Sequence, residues 1–209
     1  MMNKINKKDL IITVIISLLP IVYMLFFIEK MPENIAIHFD INNNPDNFVN
    51  KYFFVFGFPL FAGVLQTFIC IFNDLTDKNK IANKKATKVF KYLLPCILNG
   101  VFILTLLYAI NIQIDIRKCA MCILGIVFII VGNYIPKVKN SSTLHCIKFK
   151  NEEVENKITR ICGYLLIVEG ILSIISIFFS KTFSICVIAL LFVIVIAMYI
   201  YGKILDIKQ

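Results

Sequence analysis

The stretch LIITVIISLLPIVYMLFFI, residues 10–28, runs for 19 residues without a charged side chain, and its reading decides the fold. A bilayer core of roughly 30 Å is spanned by about 20 mainly apolar residues in a helix, the form that satisfies every backbone polar group within the segment. Working outward, five more stretches meet or nearly meet that requirement: Tyr52–Phe72, Tyr92–Ile112, Cys119–Ile135, Ile161–Phe179 and Phe183–Tyr201. The chain is therefore expected to be an all-α membrane protein, a six-transmembrane helical bundle forming one domain over residues 1–209. Composition agrees, with 59% hydrophobic residues against the roughly half of soluble domains. Residues 10–28 are not expected to be a cleavable signal, because the apolar run is too long and no small-residue cleavage site follows it.

A net charge of +9 would suggest nucleic acid for a soluble chain, but the 22 basic residues mark topology instead. One side of the six spans holds 17 of them, in the N-terminus, in loops 73–91 and 136–160, and in the tail; the other side holds five, namely Lys30, Lys51, Arg117, Lys118 and Lys181. Basic residues stay on the cytoplasmic side of short loops, so both termini are predicted to be cytoplasmic and loop 29–51 extracytoplasmic. No direct contact with nucleic acid is expected.

Six of seven cysteines fall in or beside spans, which suits small apolar packing. Cys119 and Cys122 have a spacing that could bind zinc, but His38 is the only histidine on that side and no second pair follows. Neither metal nor cofactor is expected. No G-x-S-x-G, H-E-x-x-H or paired intramembrane acids are present, so the chain shows no machinery of an enzyme.

In loop 29–51, Ile35, Ile37 and Phe39 alternate with Ala36, His38 and Asp40 as in a short strand, and Asn42–Pro45 has turn chemistry. His38, Asp40 and Asp46 form a candidate ligand or proton site, though a histidine bonded within its own loop is the commoner arrangement. Within the spans, Glu169 is a functional candidate because an ionised side chain there costs at least a few kcal/mol. Cys162, Glu169, Ser173, Ser176 and Ser180 share one helical face. One reading is interhelical glue, with Glu169 bonded to Gln66 or Asn99; the other is a proton or cation relay, for which Glu169 lacks a second acid.

The run P-E-N-I-A-I-H-F at 32–39, followed by N-P-D-N-F-V-N-K at 44–51, resembles the N-terminal domain of the SdpI family of membrane immunity proteins. Pro32, His38, Phe39, Pro45, Asp46 and Lys51 match its pattern, and Asn43 stands where a glycine is usual. In the fourth loop, Gly132-Asn133-Tyr134-Ile135-Pro136-Lys137 is similar to the family's G-N-Y-x-P-K, and Asn151-Glu152-Glu153 with Asn156, Lys157 and Arg160 to the loop's end. Ile147-Lys148 keeps part of a turn, the Pro-Trp-Thr-Leu stretch is absent, and the chain has no tryptophan.

The resemblance implies a protein of the bacterial plasma membrane that confers immunity or resistance to a secreted peptide toxin. It implies toxin binding at His38, Phe39, Asp40, Pro45, Asp46 and Lys51, and signalling to a cytoplasmic transcriptional repressor through a loop carrying Asn133, Tyr134, Pro136, Lys137 and Arg160. Membrane lipids are the other expected partner, through the basic loops. The alternative is a small transporter or permease-like protein using Glu169, with Ser173 and Ser176 as the other intramembrane polar candidates.

Overall fold

A computed structural model describes residues 5–76, 80–138 and 151–208. The expected Ile147-Lys148 turn, Cys146 and the rest of 139–150 lie outside the described residues.

Six helices are long and apolar enough to cross a membrane, so this is an all-α, multi-pass membrane protein. The helices are α1 (Lys7–Leu25), α2 (Phe58–Thr76), α3 (Lys80–Ala109), α4 (Ile116–Tyr134), α5 (Glu152–Ile175) and α6 (Lys181–Lys208). Between α1 and α2, strands β1 (Asn34–Phe39) and β2 (Pro45–Asn50) form an antiparallel hairpin. Where the sequence suggests one domain, the chain divides into two compact units, 1–75 with 90–120, and 76–89 with 121–209.

Helix limits differ from the apolar runs for local reasons. α1 stops at Leu25 and a 3-10 turn follows at Ile28–Lys30, since Met31 precedes a proline and takes an extended backbone. Loop 73–91 is helical from Lys80 onward: lysine favours helix, and the first turns of α3 carry Lys84, Lys85 and Lys88 as exposed residues. α5 begins at Glu152 because the Asn151 side chain accepts from the Glu153 amide at 2.8 Å, and Glu152, Glu153 and Glu155 complement the helix dipole. That gives Asn151-Glu152-Glu153 a capping role.

The first unit places two prolines inside spanning helices, and each removes the N–H that would bond the carbonyl four residues earlier. Side-chain amides from neighbouring helices take over. Gln66 of α2 donates to the Lys91 carbonyl at 2.8 Å, compensating Pro95, and Asn99 of α3 donates to the Ile16 carbonyl at 2.8 Å, compensating Pro20. These bonds correct the expected pairing of Gln66 or Asn99 with Glu169. Gln66→Leu should destabilise the protein by about 1–3 kcal/mol through the unsatisfied carbonyl. Adding Pro95→Ala restores the missing N–H and should recover much of that loss in a detergent thermal melt.

The core of this unit gathers Met24, Phe54, Val55, Phe102 and Leu106 with Met31 and Ile35, so the hairpin is anchored in the same apolar cluster as α1–α3. Ile35 is fully buried. The expected alternation is interrupted, since register shifts on either side of His38 bury Ala36 beside Ile35.

In the second unit α4 and α5 run antiparallel in backbone contact. A Cβ on Gly125 would lie 2.6 Å from the Gly170 carbonyl oxygen, and one on Gly132 would lie 2.5 Å from that of Gly163. The two glycines of each helix are seven residues apart, which keeps them on one face and lets the helices approach without side chains between them. α6 packs on α5 through Val154, Ile158 and Met198, and the Asn151 amide donates to Asp206 at 2.9 Å.

Candidate functional site

The hairpin collects most of the residues expected for recognition. His38 Nδ1 and Asp46 Oδ1 lie 2.5 Å apart across it, with side chains 66% and 48% exposed, so this pair faces outward. Phe39 pairs with Pro45 in the register and turns its ring edge-on to Tyr108 of α3, with centroids 4.7 Å apart. Phe48 is half exposed. Lys51 stands apart from these residues: its ammonium donates to Glu33 at 2.7 Å and sits over the Tyr52 ring. Hydrogen bonding to Glu33 raises the Lys51 pKa.

Asp40 organises the turn. Its carboxylate accepts from the amides of Asn42 and Asn44, each at 2.7 Å, and from the Asn44 side chain at 3.1 Å. The Asn44 backbone bond leads these interactions in holding the Asp40 pKa below its ordinary value. Asn43 adopts the left-handed backbone that a glycine would supply, with φ 64°. A glycine could not do what its side chain does: Asn43 donates to Asp115 at 3.0 Å and accepts from the Arg117 amide at 3.0 Å. The departure from the family pattern thus ties the turn to the α3–α4 connection. Burial raises the Asp115 pKa, but the Lys118 amide, Asn43 and the Arg117 and Lys118 charges outweigh it and leave the value lowered. A cleft of about 610 Å³ lies here, lined by Asn43, Tyr108, Asn111, Gln113 and Asp115 among others.

The fourth-loop residues fall into local roles. Lys137 donates to Asn133 at 2.9 Å and lies over the Tyr134 ring, Pro136 packs its ring against Gly163, and Arg160 is exposed on α5. No bond joins Arg160 to the other four among the described contacts.

Glu169 is 1% exposed and Ser173 fully buried, and neither Glu169 oxygen nor the Ser173 hydroxyl has a hydrogen-bond partner among the described residues. Ser176 donates to the Ser173 carbonyl at 2.7 Å, and the Ser184 hydroxyl of α6 lies 3.3 Å from that of Ser176.

Sequence reasoning missed a second buried charge. Lys91, placed by sequence in a basic loop, is 2% exposed and donates to Asp74 at 2.7 Å, while the other Asp74 oxygen accepts from the Asn6 amide at 3.0 Å. Close by, the Tyr92 hydroxyl donates to Asp9 at 3.0 Å. An aspartate ending one apolar run and a lysine opening the next was the available signal.

Among curated proteins and among solved structures, none matches the chain. A family model does match: residues 15–63, from within α1 through the whole hairpin into α2, are similar to a domain of unknown function, DUF1648.

Proposed function

We propose that this is an SdpI-type immunity protein of the bacterial plasma membrane, which protects the cell against a secreted peptide toxin by binding rather than catalysis. Both termini are cytoplasmic in this reading, on the strength of the charge asymmetry, and the hairpin lies outside. The observation that carries it is the build of the hairpin, which lies within the DUF1648 match. It is anchored by Ile35, braced through Asn43 to Asp115, and still presents His38, Asp46 and Phe48. A recognition surface held this way spends little ordering entropy on contact with its partner. Loop 136–160, with Lys137 and Arg160, docks a cytoplasmic repressor in the same scheme.

In a toxin-sensitive bacterial host expressing the gene, His38→Ala or Asp46→Ala should lower the protective toxin threshold by about tenfold, the equivalent of one lost contact of 1.4 kcal/mol. Membrane levels of the protein should stay unchanged. Protection equal to wild type would remove the hairpin as the site. Glu169, buried and without a hydrogen-bond partner among the described residues, favours a second reading, a small transporter or permease-like protein. Unchanged toxin sensitivity on gene deletion, with a flux abolished by Glu169→Gln, would select it.

A further inference from the structure

In the second unit, α4, α5 and α6 enclose a slot of about 300 Å³ whose lining is almost wholly apolar. Its α5 wall includes Thr159, Cys162 and Leu166. Steps of three and four residues continue that same helical face to Glu169 and Ser173.

The α6 wall gives an independent fix on depth. The Ser176–Ser184 contact sets α5 and α6 antiparallel, and Glu169 lies seven residues before Ser176 while Leu191, a lining residue, lies seven after Ser184. Seven residues return a helix to the same face, so Leu191 and Glu169 share one level. The slot therefore ends at the level of a buried carboxyl group whose two oxygens have no hydrogen-bond partner among the described residues, with the Ser173 hydroxyl in the same state one turn further on.

We propose that the slot and Glu169 form a binding site for a long-chain alkylammonium. The chain lies along Thr159, Cys162 and Leu166, and the ammonium meets the Glu169 carboxylate and the Ser173 hydroxyl. Charge complementarity selects this occupant. An ammonium brings three N–H donors to three unsatisfied oxygens, whereas a neutral hydrocarbon would leave the carboxyl group unmet and a fatty acid would set two acids against each other. The carboxylate gains a partner in a medium where a lone ion costs several kcal/mol, and the tail replaces loosely packed lining with apolar contact.

The slot is built from residues of the second unit and the hairpin from residues of the first, so the two can be tested with different variants. Radiolabelled decylammonium is titrated against the full chain in phosphatidylcholine nanodiscs, with empty nanodiscs subtracted. The expected result is saturable binding that Glu169→Gln weakens by about tenfold or more, that Leu166→Trp also weakens by filling the slot, and that His38→Ala leaves unchanged. Decanoate should not compete. Binding no greater than to empty discs, wild-type binding by Glu169→Gln or by folded Leu166→Trp, or equal competition by decanoate would overturn the proposal. If Leu166→Trp does not fold, the isosteric Glu169→Gln still decides. Toxin protection by Glu169→Gln, measured alongside, separates failure here from failure of the hairpin reading.

Discussion

Lys91→Ala is expected to cost about 3–5 kcal/mol of stability, the loss typical of breaking a buried ion pair from one side. Among the described residues Asp74 would keep a single donor, the Asn6 amide, for a carboxylate that is 6% exposed. The reverse change, Asp74→Leu, strands the ammonium of a lysine that is 2% exposed and should be as damaging. Replacing both by leucine should recover most of the loss, because the pair's mutual attraction largely offsets its own desolvation and nothing charged is left behind. A residual deficit of about 1 kcal/mol should remain, since the Asn6 amide loses its acceptor. A double-mutant cycle of thermal melts in detergent measures this directly. Two single mutants that melt like wild type would mean that the pair does not hold the end of α2 against α3.

Gly132→Ala should be among the most harmful single-methyl changes in the second unit. Its Cβ would fall 2.5 Å from the Gly163 carbonyl oxygen, and a backbone atom cannot rotate away as a side chain can. α4 and α5 must separate, at a cost of about 1–3 kcal/mol for overpacking. At roughly 2–4 °C per kcal/mol for a chain of this size, the midpoint should fall by several degrees. Gly63→Ala is the control. Its Cβ meets only the end of the Leu18 side chain at 3.1 Å, which can move, so the midpoint should change little. Equal effects at the two positions would remove the argument that close helix approach, and not glycine content, is what Gly132 provides.

Glycine spacing is legible in the sequence. Gly125 and Gly132, and Gly163 and Gly170, repeat at seven residues in consecutive apolar segments. The spacing shows that each helix has a small-residue stripe; which stripes face each other depends on how the helices pack. Gln66 and Asn99 illustrate the same limit. Polar amides in apolar runs need partners, and Glu169 was a reasonable one by composition, but the carbonyls freed by Pro20 and Pro95 claimed them instead. The link from a proline to the carbonyl four residues before it is local and legible. The amide that reaches that carbonyl is not.

The sequence by itself determined the six spanning helices, because apolar length and backbone satisfaction in lipid are properties of each segment alone. It also placed the first strand and the left-handed turn at Asn43, where local residue chemistry governs the backbone. Only the tertiary structure decided which polar groups pair. Asp74 with Lys91, Asn43 with Asp115 and Gln66 with the Lys91 carbonyl are contacts between different segments of the chain, and packing between segments likewise leaves Glu169 buried with no partner among the described residues. Such pairings follow from the relative depth and rotation of packed helices, which small differences in side-chain fit select and residue periodicity does not encode.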